Sequence, residues 1–120
     1  MSTSTVTGSG VLTTLMISSG TNLVVPQFQY VSLLQSTDVT ITASGTTVLL
    51  LGRVETTNDA QCSVEVSVDG TNVYTDGAGL QIILKLPLTA GSHTVVFRAF
   101  GLANDITAEV FGLTAIDLGL

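Results

Sequence analysis

Residues 61–74 read QCSVEVSVDGTNVY, and this stretch decides the fold. From Cys62 to Val68 apolar and polar side chains alternate, with Cys62, Val64, Val66 and Val68 on one parity and Ser63, Glu65 and Ser67 on the other. A period of two belongs to a pleated strand with one buried and one wet face; a helix would scatter the four apolar groups around its axis. Asp69-Gly70 follows at once, and this pair readily takes the positive φ values that a two-residue hairpin loop requires. Asn72–Tyr74 then reads as the returning strand. The stretch predicts an antiparallel β-hairpin.

Outward from that hairpin the same pattern repeats. The predicted strands are Val11–Ile17, Asn22–Val25, Phe28–Leu34, Asp38–Thr42, Thr46–Glu55, Gln61–Val68, Asn72–Tyr74, Leu80–Leu86, His93–Phe100 and Ile106–Leu118. Ser44-Gly45, Asp76-Gly77 and Ala90-Gly91 mark turns, and Pro26 and Pro87 sit at strand ends, where a missing N–H costs little. Gly and Thr interrupt every stretch that would otherwise show helical spacing. Short strands without helices predict an all-β fold, a two-sheet antiparallel sandwich of jelly-roll type, in one domain over residues 11–120. Residues 1–10, rich in Ser, Thr and Gly, read as a flexible N-terminal arm.

Some strands are apolar on both parities. Leu49 and Leu51 flank Leu50, Ile83 lies opposite Ile82 and Leu84, and Phe111, Leu113 and Ala115 lie opposite Ile106, Ala108 and Val110. A strand apolar on both faces is covered on both faces. The sequence therefore predicts an oligomer with Phe111, Leu113, Ala115 and Ile83 in the subunit interface. Composition agrees: of 120 residues, 45% are hydrophobic and only 10% are charged, too few charges to coat a monomer in the usual way.

The formal net charge is −6, and Arg53, Lys85 and Arg98 are the only bases beside the single His93. Three scattered cations cannot neutralise a run of phosphates, so neither nucleic acid nor an anionic membrane is an expected partner. Met1–Gly10 has neither a basic start nor an apolar core, so no secretory signal is expected.

The sequence carries little catalytic equipment. Cys62 is the only cysteine and reads as a buried structural thiol. A serine–histidine triad would have to use His93, and no G-x-S-x-G elbow accompanies it. Glu55, Glu65 and Glu109 sit at solvent-facing parity and read as solvated charges. Asp59, Asp69, Asp76 and Asp105 lie in turns, but without the D-x-D-x-D-G spacing of a calcium loop. No catalytic residue, metal or cofactor is predicted. For ligand binding, Tyr74 and Asp76 beside the hairpin turn form the candidate loop, with Tyr74 as the aromatic platform.

The segments Val66–Tyr74, VSVDGTNVY, and Leu88–Phe97, LTAGSHTVVF, resemble the later strands of tumour-necrosis-factor-like jelly rolls and small β-sandwich modules. With a Thr/Ser/Gly-rich chain, the whole looks most like small virion proteins of tailed bacteriophages: capsid decoration (cement) proteins, head fibres or tail-fibre domains. That resemblance implies a homotrimer, made in the host cytoplasm and placed on the virion, with the major capsid protein or another virion protein as partner. It also implies an interface at Phe111 and Leu113, with Met1–Gly10 as a docking arm. The alternative function is a receptor- or glycan-binding domain of a tail fibre or adhesin.

Overall fold

The structure, a computed structural model, describes residues 12–34, 39–44 and 47–119. Among these residues the chain forms nine strands: β1 (Thr13–Val25), β2 (Tyr30–Ser32), β3 (Val39–Ala43), β4 (Thr47–Thr56), β5 (Cys62–Val68), β6 (Thr71–Gly77), β7 (Gln81–Pro87), β8 (Gly91–Gly101) and β9 (Ile106–Asp117). A 3-10 turn, Asp59–Gln61, precedes β5. The strands build two antiparallel sheets, ordered β1-β9-β4-β7 and β2-β8-β5-β6, with β3 pairing β8 alongside β2. This is the jelly-roll order, in which most successive strands lie in opposite sheets and the layers close over one core. The predicted fold class stands.

The 61–74 stretch folds as its pattern requires. Cys62, Val64, Val66 and Val68 are buried, and Asp69 and Gly70 form the two-residue loop at φ 53° and 79° between the paired Val68 and Thr71. Phe97, Leu50, Val48, Val54, Val64, Val66, Val95 and Leu113 lie fully buried between the sheets. Each such side chain contributes about 1.5–3 kcal/mol of transfer free energy.

Three sequence expectations are corrected. The two strands expected over 11–17 and 22–25 are not separate: β1 runs without a break over Thr13–Val25, because Ser18–Thr21 pairs along β9 instead of turning. Gly20 permits this: a Cβ there would come within 2.5 Å of Phe111 Cζ, so the missing side chain makes room for the ring. Asp76-Gly77 belongs to β6, and the chain turns at residues 78–80 instead.

The third correction concerns β9. Glu55 pairs with Val110 and Thr56 with Ala108, which leaves Glu109 as an extra, bulged residue. A bulge sends the side chains beyond it to the other face. Ile106 and Ala108 point into the sandwich before the bulge, and Phe111, Leu113 and Ala115 do so after it. These three are core residues of the protomer itself, not residues of a subunit interface. Of the four predicted interface residues, Ile83 alone lies on the surface, at 64% exposure. The predicted arm, residues 1–10, lies outside the described residues.

Candidate ligand-binding face

Cα partners in an antiparallel pair share a face, so the registers read out what each sheet shows to its surroundings. The outer face of the five-stranded sheet carries the row Tyr30, Phe100, Ser63, Gly77 and beside it the row Ser32, Arg98, Glu65, Thr75. Ser67 and Asn72 follow, then the pairs Thr40–Thr94 and Thr42–Ser92. This face is rich in hydroxyls, carries Asn72 and Val96 as well, and is aromatic at one end.

The aromatic end is ordered by charge. Arg98 sets its guanidinium carbon 3.9 Å from the Tyr30 ring centroid, a cation–π contact. Its Nη2 and Nε both donate to Glu65 Oε1, at 2.6 and 2.8 Å, so the cation is neutralised on the spot. The Phe100 ring leans on Tyr30 with centroids 4.7 Å apart and planes at 47°. Tyr30 still presents 51% of its surface to solvent.

Phe28 stands next to this cluster in an unusual conformation. Its φ is +60°, a left-handed value that bulky side chains avoid, and its ring is 66% exposed. The surrounding turn is braced on every side. Gln29 N–H donates to Pro26 O at 3.2 Å, Phe28 N–H to Gly101 O at 2.7 Å, and Gln27 N–H to Asp105 Oδ1 at 2.7 Å. The Gln27 side-chain amide donates to Ala103 O. Gly101 has no side chain to push the turn away; a Cβ there would meet Pro26 O at 2.6 Å. Turn 26–29 and loop 101–105 therefore form one rigid tip, with Phe28 and the exposed Leu102 on it. Strain held at an exposed aromatic by such bracing is characteristic of recognition sites.

The residues singled out in the sequence fall elsewhere. Tyr74 pairs with the core residue Val66 and packs against the core from the edge strand β6, so it is not an open platform. Burial, and secondarily the charge of Asp76, raise its phenol above the ordinary range. Asp76 is exposed, and its Oδ1 accepts from Gly77 N–H at 2.8 Å. Asp59 accepts from Thr56 within its own turn, whereas Asp105 accepts from Gln27 and ties loop 101–105 to turn 26–29. Among the described residues no group of three or more His, Cys, Asp or Glu side chains converges on one point.

His93 is buried at the far end of the sandwich. Its Nδ1 lies 2.5 Å from Asp69 Oδ2 and its Nε2 lies 2.6 Å from Thr89 O. Both partners are acceptors, so the site favours the ring that carries a proton on each nitrogen. The Asp69 hydrogen bond, then the Thr89 carbonyl, raise the His93 pKa; the same bond lowers that of Asp69. Among the described residues no serine hydroxyl is bonded to the ring, and the arrangement closes a turn. Burial pushes the Cys62 thiol up to about 11, which leaves it protonated and unreactive at neutral pH. Glu55 pairs with Arg53 and Glu65 with Arg98, whereas Glu109 occupies the bulge.

The aromatic end was legible in part. In β8 the alternation that buries Val95, Phe97 and Ala99 leaves Arg98 and Phe100 together on the wet face. A cation and an aromatic two residues apart on that face are the signal to follow. Nothing in the sequence indicates that Tyr30 joins them from across the sheet.

No family model and no curated protein matches the chain. Among solved structures, it is similar to the CBM36-1 domain of a multidomain xylanase from the hindgut metagenome of Trinervitermes trinervoides. That likeness has 14% identity and a TM-score of 0.48, over 87% of this chain and 96% of that one. The chain is also similar to dimeric latent PorU from Porphyromonas gingivalis, at 10% identity and a TM-score of 0.41, over 95% of this chain and 14% of that one. Both likenesses concern the chain path and assign no ligand to this protein.

Proposed function

We propose that this protein is a non-catalytic recognition module, with the Phe28–Tyr30–Phe100 end of the five-stranded sheet as its binding surface and a neutral glycan as its ligand. The observation that carries this reading is the exposed aromatic pair Phe28 and Tyr30, braced by backbone hydrogen bonds at the border of a hydroxyl-lined sheet. Aromatic faces take the apolar faces of sugar rings, while Ser63 and the hydroxyl proton of Thr75, whose oxygen already accepts from Asn72 Nδ2, supply partners for their hydroxyls. The charge argues for a neutral sugar. The chain is net −6, and its one cation on this surface, Arg98, is already paired with Glu65. A rigid tip also loses little conformational freedom on binding.

A glycan array carrying neutral and acidic oligosaccharides tests the reading. Binding to neutral sugars that Tyr30→Ala abolishes, with the far-ultraviolet spectrum unchanged, supports it. No binding by the wild type, or equal binding by the variant, refutes it.

A second reading is a homotrimeric capsid decoration protein that cements the major capsid protein of a phage head. What favours it is the apolar outer face of the other sheet, where Ile17, Leu51 and Ile83 lie in one row. A native particle whose micrograph locates this protein as trimers on the shell supports that reading; its absence from the shell refutes it.

A further inference from the structure

The outer face of the four-stranded sheet contrasts with the hydroxyl-rich face opposite. One row crosses all four strands, Ile17, Thr114, Leu51 and Ile83, and the next holds Thr14, Ile116, Leu49 and Lys85. Ile17 is 73% exposed, and Val110 is also exposed. A groove of about 330 Å³ runs over Gly112 between Ile17, Leu51, Arg53 and Gln81. Isolated surface Ile residues need no explanation, but a continuous row across a sheet does.

We infer that this face packs against the same face of a second copy of the chain. Three observations favour that occupant. The first is charge: the chain as a whole is −6, yet this face and its bulge carry Arg53 and Lys85 against Glu55 and Glu109, a balanced set. Two copies meeting there bring no excess of like charge into the contact. The second is arrangement. An apolar row, Ile17, Leu51 and Ile83, is bordered by Arg53, Glu55 and Lys85, and a two-fold contact sets such a patch against itself. The third is area. Four strands by nine residues span about 19 by 30 Å, roughly 600 Å² per copy. The pair then buries on the order of 1,200 Å², the lower edge of specific interfaces.

The inference is independent of the glycan reading and distinct from the trimeric one, since a contact of one face with itself closes as a dimer. Sedimentation velocity of the full chain across micromolar to millimolar concentrations tests it. The wild type is expected to show a reversible shift to larger species. Ile17→Glu with Ile83→Glu is expected to remain monomeric with an unchanged melting temperature, since both positions are exposed. Thr40→Glu, on the opposite sheet, is expected to associate as the wild type does. As an independent check, Ile83→Cys is expected to give a disulfide-linked pair under mild oxidation, because the native Cys62 is buried. Association that persists in the double Glu variant overturns this face while leaving the assembly reading intact. A wild type that stays monomeric throughout overturns both.

Discussion

His93 sets both ring nitrogens against acceptors, Asp69 Oδ2 at 2.5 Å and Thr89 O at 2.6 Å, and so clasps the Asp69-Gly70 hairpin loop to the turn that opens β8. Asp69 adds a second tie, accepting from Thr94 N–H through Oδ1 at 2.9 Å. The pair and its neighbouring bonds thus join the β5–β6 loop, the turn between β7 and β8, and β8 itself.

The clasp predicts a pH dependence of stability with a definite sign. The folded-state pKa of His93 lies above its unfolded value, so its contribution is complete below the ordinary imidazole range and is lost as pH rises through the raised value. The folded-state pKa of Asp69 is depressed, so its contribution is present above the ordinary carboxylate range and is lost as pH falls through the lowered value. The pair is expected to stabilise most between the two ranges, about pH 4 to 6.5. Urea midpoints measured against pH check this. His93→Gln should remove the decline on the alkaline side; a decline of equal size in the variant would assign it to another group.

The bulge at Glu109 predicts which residues of β9 hold the protomer together. Leu113→Ala should lower the unfolding free energy by about 2–5 kcal/mol through cavity formation. Ile83→Ala, measured at dilution, should change it by no more than about 0.5 kcal/mol. Equal, small effects at both positions would mean that Leu113 does not face the core.

Asp117 is buried and accepts from Ser44 N–H at 2.7 Å, Ser44 Oγ–H at 2.8 Å and Gly119 N–H at 2.8 Å, so it anchors the end of β3 and of β9 together. Asp117→Ala strands those donors and is expected to cost about 1–3 kcal/mol. Chemical denaturation at neutral pH measures it, and an unchanged midpoint would show that water replaces the carboxylate without loss.

Much of the fold was legible because parity is reliable wherever the ladder is regular. In β5 and β8 the alternation holds without interruption, and Asp69-Gly70 turns the chain where it should. Counting fails at an extra residue. Glu109 in β9 and the register shift opposite Val66 and Ser67 in β6 each reverse the parity beyond them. The first made the core residues Phe111, Leu113 and Ala115 look exposed, and the second turned Tyr74 inward. Neither bulge carries a glycine or proline to announce it. The candidate site was missed for a different reason. It is assembled across strands, from Tyr30, Arg98 and Phe100, and its strained member, Phe28, takes a positive φ that no sequence rule assigns to phenylalanine.

That strain offers the most direct test of a recognition role. Phe28→Gly removes an exposed ring and relieves a left-handed residue, so stability should hold or rise by up to about 1 kcal/mol. Binding to the neutral oligosaccharides recognised by the wild type should weaken by about 0.5–1.5 kcal/mol or more. Calorimetric titration of both proteins, with their melting curves, is the deciding measurement. Lost affinity at equal or greater stability is the predicted result; a less stable variant that binds as the wild type does would contradict the account.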